Sequence, residues 1–195
     1  MRNLAFLLVA SAVIAGVIGF LTLDRPGLPA LYPMPSFELT GQDGKAFSSK
    51  ALEGKVVVAN FVFTSCPTVC PTLTAKMAEL QKALAKEEQV HLMSFSVDPK
   101  NDTPEVLKAY GEKFGQDPSR WTFVTGDLAE VMKAVELGFR IGVTGADDPE
   151  ATAFDIVHGE HFVLVDAKGM IRGYYAPTPE ALARLAEDAR TVAAE

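Results

Sequence analysis

Cys66 and Cys70 are the only cysteines in this chain of 195 residues. A thiolate is both a nucleophile and a soft metal ligand. The pair lies in the run Phe61-Val62-Phe63-Thr64-Ser65-Cys66-Pro67-Thr68-Val69-Cys70-Pro71-Thr72-Leu73. Spaced four apart, two sulfurs on one side of a helical turn can close a disulfide or clamp one soft ion. The plainer alternative is two buried cysteines that never react. The surroundings argue against it. Val56 to Phe63 is apolar, and Leu73, Met77, Leu80 and Leu84 then recur at helical spacing. That pattern predicts a buried strand turning into a helix, with the cysteines at the junction. Backbone N–H groups at a helix start are unpaired and carry partial positive charge, which favours thiolate. Pro67 and Pro71 suit a first helical turn, where a missing N–H costs nothing. Oxidation is therefore expected to join Cys66 to Cys70 within one molecule, in a form that no longer clamps an ion.

A metal held by two thiolates still needs a further donor. There are three histidines, His91, His158 and His161. His91 falls in a predicted strand, on its exposed side or near its start, and reads as structural. His158 and His161 flank the start of a later strand. Either would ordinarily read as a solvated side chain. The dithiol makes them candidate ligands.

The elements that must position these residues follow from periodicity and turn signals. Phe37-Glu38-Leu39-Thr40, the turn Gly41-Gln42-Asp43-Gly44 and Lys45-Ala46-Phe47 predict a hairpin. Val90 to Val97 predicts a second buried strand, and Asp98 to Asp102 a loop. Thr103-Pro104 predicts a capped helix with Leu107, Tyr110 and Phe114 inward. Trp121 to Val124 reads as a strand. Asp127 caps a helix with Leu128, Val131 and Val135. Phe139 to Val143 reads as extended and Thr144 to Thr152 as a surface loop. Glu160 to Val165 and Met170 to Tyr175 predict a hairpin about Asp166-Ala167-Lys168-Gly169, and Thr178-Pro179 starts a last helix with Leu182, Leu185 and Val192 inward. The order predicts an α/β domain with a mixed central sheet and helices on both faces. A dithiol beyond the end of the first long strand is the thioredoxin arrangement.

Leu4 to Leu23 carries no charge, and its length at about 1.5 Å per residue spans roughly 30 Å, a bilayer core. The competing reading is a cleaved signal peptide, but Thr22-Leu23-Asp24-Arg25-Pro26 offers no small-residue cleavage site. The expected organisation is a membrane anchor over 1–25, a proline-punctuated linker over 26–35 and one domain over 36–195. That domain is expected to lie outside the cytoplasm and to fold as a soluble monomer from about Pro33 onward. The net charge of −7 leaves no basic patch of the kind that binds nucleic acid.

Phe63 to Pro71 resembles the CxxxC motif of the Sco/SenC family of copper chaperones. Ser96-Val97-Asp98-Pro99-Lys100-Asn101-Asp102-Thr103-Pro104-Glu105-Val106-Leu107 resembles a second family block, and Trp121 to Gly126 a third. The family histidine precedes by eight residues the aspartate that ends the next strand. Here His158 stands eight before Asp166, and His161 does not. The likeness covers about Pro35 to Tyr175. It implies a thioredoxin-like domain with copper, Cu(I) above Cu(II), on Cys66, Cys70 and His158. It also implies an amino-terminal anchor in a bacterial cytoplasmic membrane. The chain departs from the family at Ile156-Val157-His158-Gly159, where Val-Asp-His-Ser is frequent, and His161 is an extra imidazole nearby. Soft thiolates select Cu(I), whereas structural zinc asks for four ligands.

The resemblance implies delivery of copper to the dinuclear copper A site in subunit II of cytochrome c oxidase. The partners would be that subunit and a copper donor or thiol reductant. An alternative is a thiol-disulfide oxidoreductase that reduces the cysteines of the same site through Cys66 and Cys70. The two differ in their need for His158, which disulfide exchange does not use. A third reading is a peroxidase, since Phe61 to Thr68 resembles a peroxiredoxin active-site stretch. Those enzymes place a threonine three residues before the reactive cysteine, where this chain has Phe63 before Cys66.

Overall fold

The computed structural model describes residues 27–148, 150 and 152–195. The expected anchor over 1–25 lies outside them. Among the described residues no helix is long and apolar enough to cross a membrane.

Among the described residues ten strands and four α-helices follow in order. They are β1 (Tyr32–Pro33), β2 (Glu38–Gly41), β3 (Ala46–Ser48), β4 (Val56–Val62), α1 (Val69–Ala83), β5 (Val90–Ser96), α2 (Pro104–Lys113) and β6 (Trp121–Thr125). Next come α3 (Leu128–Met132), β7 (Val143–Thr144), β8 (Val157–His158), β9 (Phe162–Val165), β10 (Met170–Tyr175) and α4 (Pro179–Ala193). Eight strands form one mixed sheet in the order β1-β10-β9-β4-β5-β6-β2-β3. β4, β5 and β6 run parallel at its centre, and β9 pairs antiparallel with β4. β7 and β8 make a separate two-stranded ribbon.

Every residue of β4, β5 and β6 is buried, as expected of strands covered on both faces. On one face Phe61 and Phe95 pack with Phe139, and Phe37 meets Phe95 edge-on. On the other, Trp121 stacks on Phe123, which meets Tyr110 of α2. The helix starts are those the sequence predicts. Thr103 accepts from the Val106 N–H, Asp127 from Ala129 and Glu130, and Thr178 from Ala181. Each satisfies donors a helix cannot satisfy itself.

Three expectations change. His91 is buried, and its Nε2 lies 2.9 Å from Thr122 Oγ1, because β5 is covered on both faces and leaves it no exposed side. Phe139 to Val143 is not an extended run. α3 passes into a wide turn over Lys133–Gly138, Arg140 takes the left-handed conformation (φ 57°), and only Val143–Thr144 is strand. Of the expected linker 26–35, the described residues 27–35 are not only a linker. Tyr32–Pro33 pairs with Ile171 and Met170 at the sheet edge, and the Tyr32 ring lies 3.3 Å under the Arg140 guanidinium. Buried Arg172 then ties Leu28 O to Asp166 and Glu195.

A chain begun at Pro35 loses the edge pairing and the Tyr32–Arg140 contact and leaves Arg172 without its Leu28 acceptor. It should melt about 5 °C or more below one begun at Gly27. Equal melting temperatures would show that the edge strand contributes nothing. A second outcome concerns acid. Burial, with Lys55 and Arg120 adding repulsion, pushes the His91 pKa down to about 4. An unfolded histidine titrates near 6.5. Between those values the unfolded chain binds a proton that the folded chain refuses, so stability falls as pH drops through that window and the loss is complete below about 4. Urea midpoints at pH 7 and pH 4.5 should differ less in His91→Gln than in wild type; an unchanged difference would contradict this.

Candidate metal centre

The cysteines sit where β4 runs into α1. Val62 ends the strand, Cys66 lies in the turn that follows, and Cys70 is the second residue of the helix. Only Cys70 and Pro71 therefore belong to the first helical turn; Cys66 and Pro67 precede the cap. The Cys70 N–H points at Cys66 Sγ, 3.5 Å away, so an unpaired helix-start donor meets sulfur. Thr74, one turn on, donates to Cys70 O at 2.8 Å and meets the Tyr110 hydroxyl at 2.9 Å.

The two thiols differ. Burial works against ionising Cys66, but hydrogen bonds from Cys70, Thr68 and Val69 outweigh it and pull its pKa below the usual thiol value. Burial dominates at Cys70 and pushes its thiol far up, helped by the nearby Cys66 and Asp102 charges. Cys70 has no exposed surface, while Cys66 keeps 6%. Both are free thiols.

His158 arrives from β8, 88 residues along the chain from Cys70, with its Nε2 at 3.4 Å from Cys70 Sγ. Its Nδ1 lies 3.1 Å from Gly159 O. A carbonyl can only accept, so Nδ1 carries the proton and Nε2 offers its lone pair. The neutral Cys70 S–H therefore donates to Nε2. Burial lowers the His158 pKa and keeps the ring neutral. The Phe63 ring meets it edge-on at 5.8 Å. With metal–ligand bonds of about 2.3 Å to sulfur and about 2.0 Å to nitrogen, a sulfur and a nitrogen on one ion lie roughly 3.5 Å apart at a tetrahedral angle and roughly 3.7 Å apart at a trigonal one. The Cys70–His158 separation of 3.4 Å is a few tenths of an ångström short of the trigonal value. Among the described residues, however, no three His, Cys, Asp or Glu side chains already surround a common point.

The structure thus brings Cys66, Cys70 and His158 to one end of the sheet. His161 is exposed and stands outside the cluster. A shallow cavity of about 210 Å³ opens over Cys66 and His158, lined also by Phe154, Val157 and Glu160. One residue escaped sequence reasoning. Asp102, fully buried, accepts from the Thr64 N–H at 3.2 Å, the Thr64 hydroxyl at 2.5 Å and the Ser96 hydroxyl at 2.6 Å. It holds the turn before Cys66 to the end of β5. Its sequence signals were its place in the second family block and beside the Thr103-Pro104 helix start, where an acid reads as loop.

Comparison with known proteins follows the same geometry. The family model SCO1/SenC matches residues 29–194. A SCO1/SenC family lipoprotein from Bacillus anthracis is 40% identical, with a TM-score of 0.75 over 83% of this chain and 95% of its own. BsSco, a member of the Sco family of cytochrome c oxidase assembly proteins with an identified disulfide switch, is 30% identical. Its TM-score is 0.75 over 88% of this chain and 99% of its own. Copper-bound ScoI of Bradyrhizobium japonicum is 29% identical, with a TM-score of 0.69 over 83% of this chain and 99% of its own.

The thiol asymmetry has a direct readout. With limiting iodoacetamide at pH 7, Cys66 should be alkylated at least about tenfold faster than Cys70, since only the thiolate reacts and only Cys66 is accessible. Peptide mapping with equal labelling of both would contradict it.

Proposed function

The chain belongs to the SCO1/SenC family, and from that premise we propose that it carries Cu(I) on Cys66, Cys70 and His158 for assembly of the dinuclear copper A site of cytochrome c oxidase. The observation that carries the reading is the 3.4 Å approach of His158 Nε2 to Cys70 Sγ, with the imidazole lone pair aimed at the sulfur. The proton that now bridges those atoms occupies the place of a cation. Cu(I) would displace it, leaving a thiolate and a neutral imidazole on one ion. Cys66, already disposed to ionise, adds the second thiolate on releasing its contact with the Cys70 N–H. Two soft sulfurs and one nitrogen suit Cu(I) better than zinc, which prefers four ligands. Copper is cargo in this reading, and a three-donor site leaves room for an acceptor's ligand to enter before the last donor leaves.

The family relation to a lipoprotein and the uncharged run Leu4–Leu23 support a membrane-tethered form. We read 1–25 as a single-pass anchor in a bacterial cytoplasmic membrane and the domain as extracytoplasmic and monomeric. The acceptor would be subunit II of the oxidase, and a copper donor would in turn load this chain.

The unequal thiols favour a second reading, a thiol-disulfide oxidoreductase acting on the same acceptor's cysteines. An accessible low-pKa cysteine beside a buried one is the arrangement that disulfide exchange uses. The peroxidase reading has less support, because Phe63 stands at the threonine position and packs on His158.

Competition for Cu(I) against a chelator separates the first two readings. Under anaerobic conditions His158→Ala should weaken binding by roughly a hundredfold while the dithiol stays redox-active, and His161→Ala should change it by less than about threefold. Equal affinities for wild type and His158→Ala would remove His158 from the ligand set and favour the oxidoreductase.

A further inference from the structure

The side chains that frame the opening over Cys66 and His158 are unlike those of an ordinary surface. Phe154 is 79% exposed, the most exposed large hydrophobic side chain among the described residues, and Val157 is 62% exposed. Both line the cavity, beside Pro67 and Val69. Single exposed apolar residues are common. A phenylalanine and a valine side by side at the mouth of a reactive site are the mark of a surface that another protein covers. The charged residues of the segment that carries them have one sign. Thr144 to Glu160 holds Asp147, Asp148, Glu150, Asp155 and Glu160 and no lysine or arginine. Asp155 and Glu160, nearest the apolar pair, are both exposed.

We propose that Phe154 and Val157, bordered by Asp155 and Glu160, form the docking surface for a protein that presents a cysteine pair from an apolar patch edged with lysine or arginine. The inference rests on the reading of Cys66 and Cys70 as an exchanging dithiol and names the chemistry of its partner. Cysteine is required by the exchange itself. An ion on two thiolates leaves by ligand exchange, and a disulfide opens by attack of another thiolate. Either way the incoming sulfur must reach Cys66, because Cys70 has no exposed surface. The approach to Cys66 passes the Phe154–Val157 rim, so those side chains are covered whenever the sulfurs meet. The apolar pair supplies affinity by leaving water. The acidic border selects a basic partner and speeds encounter at low salt.

In the disulfide form the step balances as follows. The partner's first thiolate attacks Cys66 Sγ, and Cys70 leaves as a thiolate and takes a proton. The partner's second thiolate then attacks its own first sulfur and releases Cys66. The partner ends as a disulfide and this chain as a dithiol, with two electrons transferred to it.

The test uses the oxidised full chain in nonionic detergent micelles, without copper, so its outcome is independent of the Cu(I) titration. Three reductants are compared: an apolar peptide dithiol flanked by lysines, the same peptide flanked by glutamates, and dithiothreitol. The lysine peptide should react about tenfold faster than the glutamate peptide at low ionic strength, and the advantage should shrink at 0.5 M salt. Phe154→Ser/Val157→Ser should slow the lysine peptide about tenfold while leaving dithiothreitol unchanged. Equal rates for the two peptides would overturn the basic partner. A double variant that keeps its peptide rate would overturn the docking surface. So would one that loses the same factor with dithiothreitol, since the residues would then only support the dithiol.

Discussion

The antiparallel pairing of β4 with β9 is the constraint on which the site depends. Val57, Val58 and Ala59 lie opposite Val165, Leu164 and Val163. Because the strands run in opposite directions, the residues after β4 and those before β9 emerge at the same end of the sheet. Cys66 and Cys70 follow β4, and His158 precedes β9. No local interaction could bring them together across 88 residues. A parallel β9 would put His158 at the far end. A one-residue slip would swap the two covered faces of β9 and force all four of its buried apolar residues to repack. The 3.4 Å contact between Cys70 and His158 is thus a consequence of sheet register.

Register brings the segments near, and polar contacts then fix the turn between strand and helix. Asp102 has no exposed surface, and burial raises its pKa against the hydrogen bonds from Ser96 and Thr64. Those three donors are what make a buried carboxylate tolerable. They also pin Thr64, two residues before Cys66, to the end of β5. Burial holds the Cys70 thiol protonated, and the same carboxylate adds a like charge that works in the same direction. One group therefore orients the turn and widens the difference between the sulfurs. Removing a charge partner in so dry a region is costly, so the turn has few alternative conformations.

Much of this was legible in the sequence because it is local. The α1 stripe of Leu73, Met77, Leu80 and Leu84 is buried as its period requires, and the threonine and aspartate caps stand where they were expected. The dithiol, too, was a local signal. His158 was not: it was chosen over His161 by family spacing, and periodicity alone left both open. What escaped were effects of packing at a distance. Burial of His91 depends on both faces of β5 being covered, and the edge strand Tyr32–Pro33 depends on β10 offering an unpaired side. Asp102 escaped because an acid in a polar loop carries no sign that three donors will close over it. The exposure of Phe154 is a negative fact, the absence of a covering neighbour among the described residues, and no local pattern encodes that.

The two ends of β4 have different duties. At its start, Asp166 follows Val165, the partner of Val57, and binds Arg172, which also holds Leu28 O and Glu195. The first described residues are therefore fastened at the end of the sheet away from the cysteines. The seven residues of β4 rise roughly 20 Å between that clamp and the dithiol turn. Under the proposed anchoring of residues 1–25, the clamp leaves little free chain between bilayer and domain. The dithiol would then face away from the lipid, at a height set by the strand instead of by a flexible tether. An acceptor would meet the site from the aqueous side, where the Phe154–Val157 rim also faces. A site carried on a slack linker would sample many orientations and lose encounter rate to most of them. With that anchor, fastening the chain beneath the sheet would confine the search and would give the buried arginine a role beyond holding two strands together.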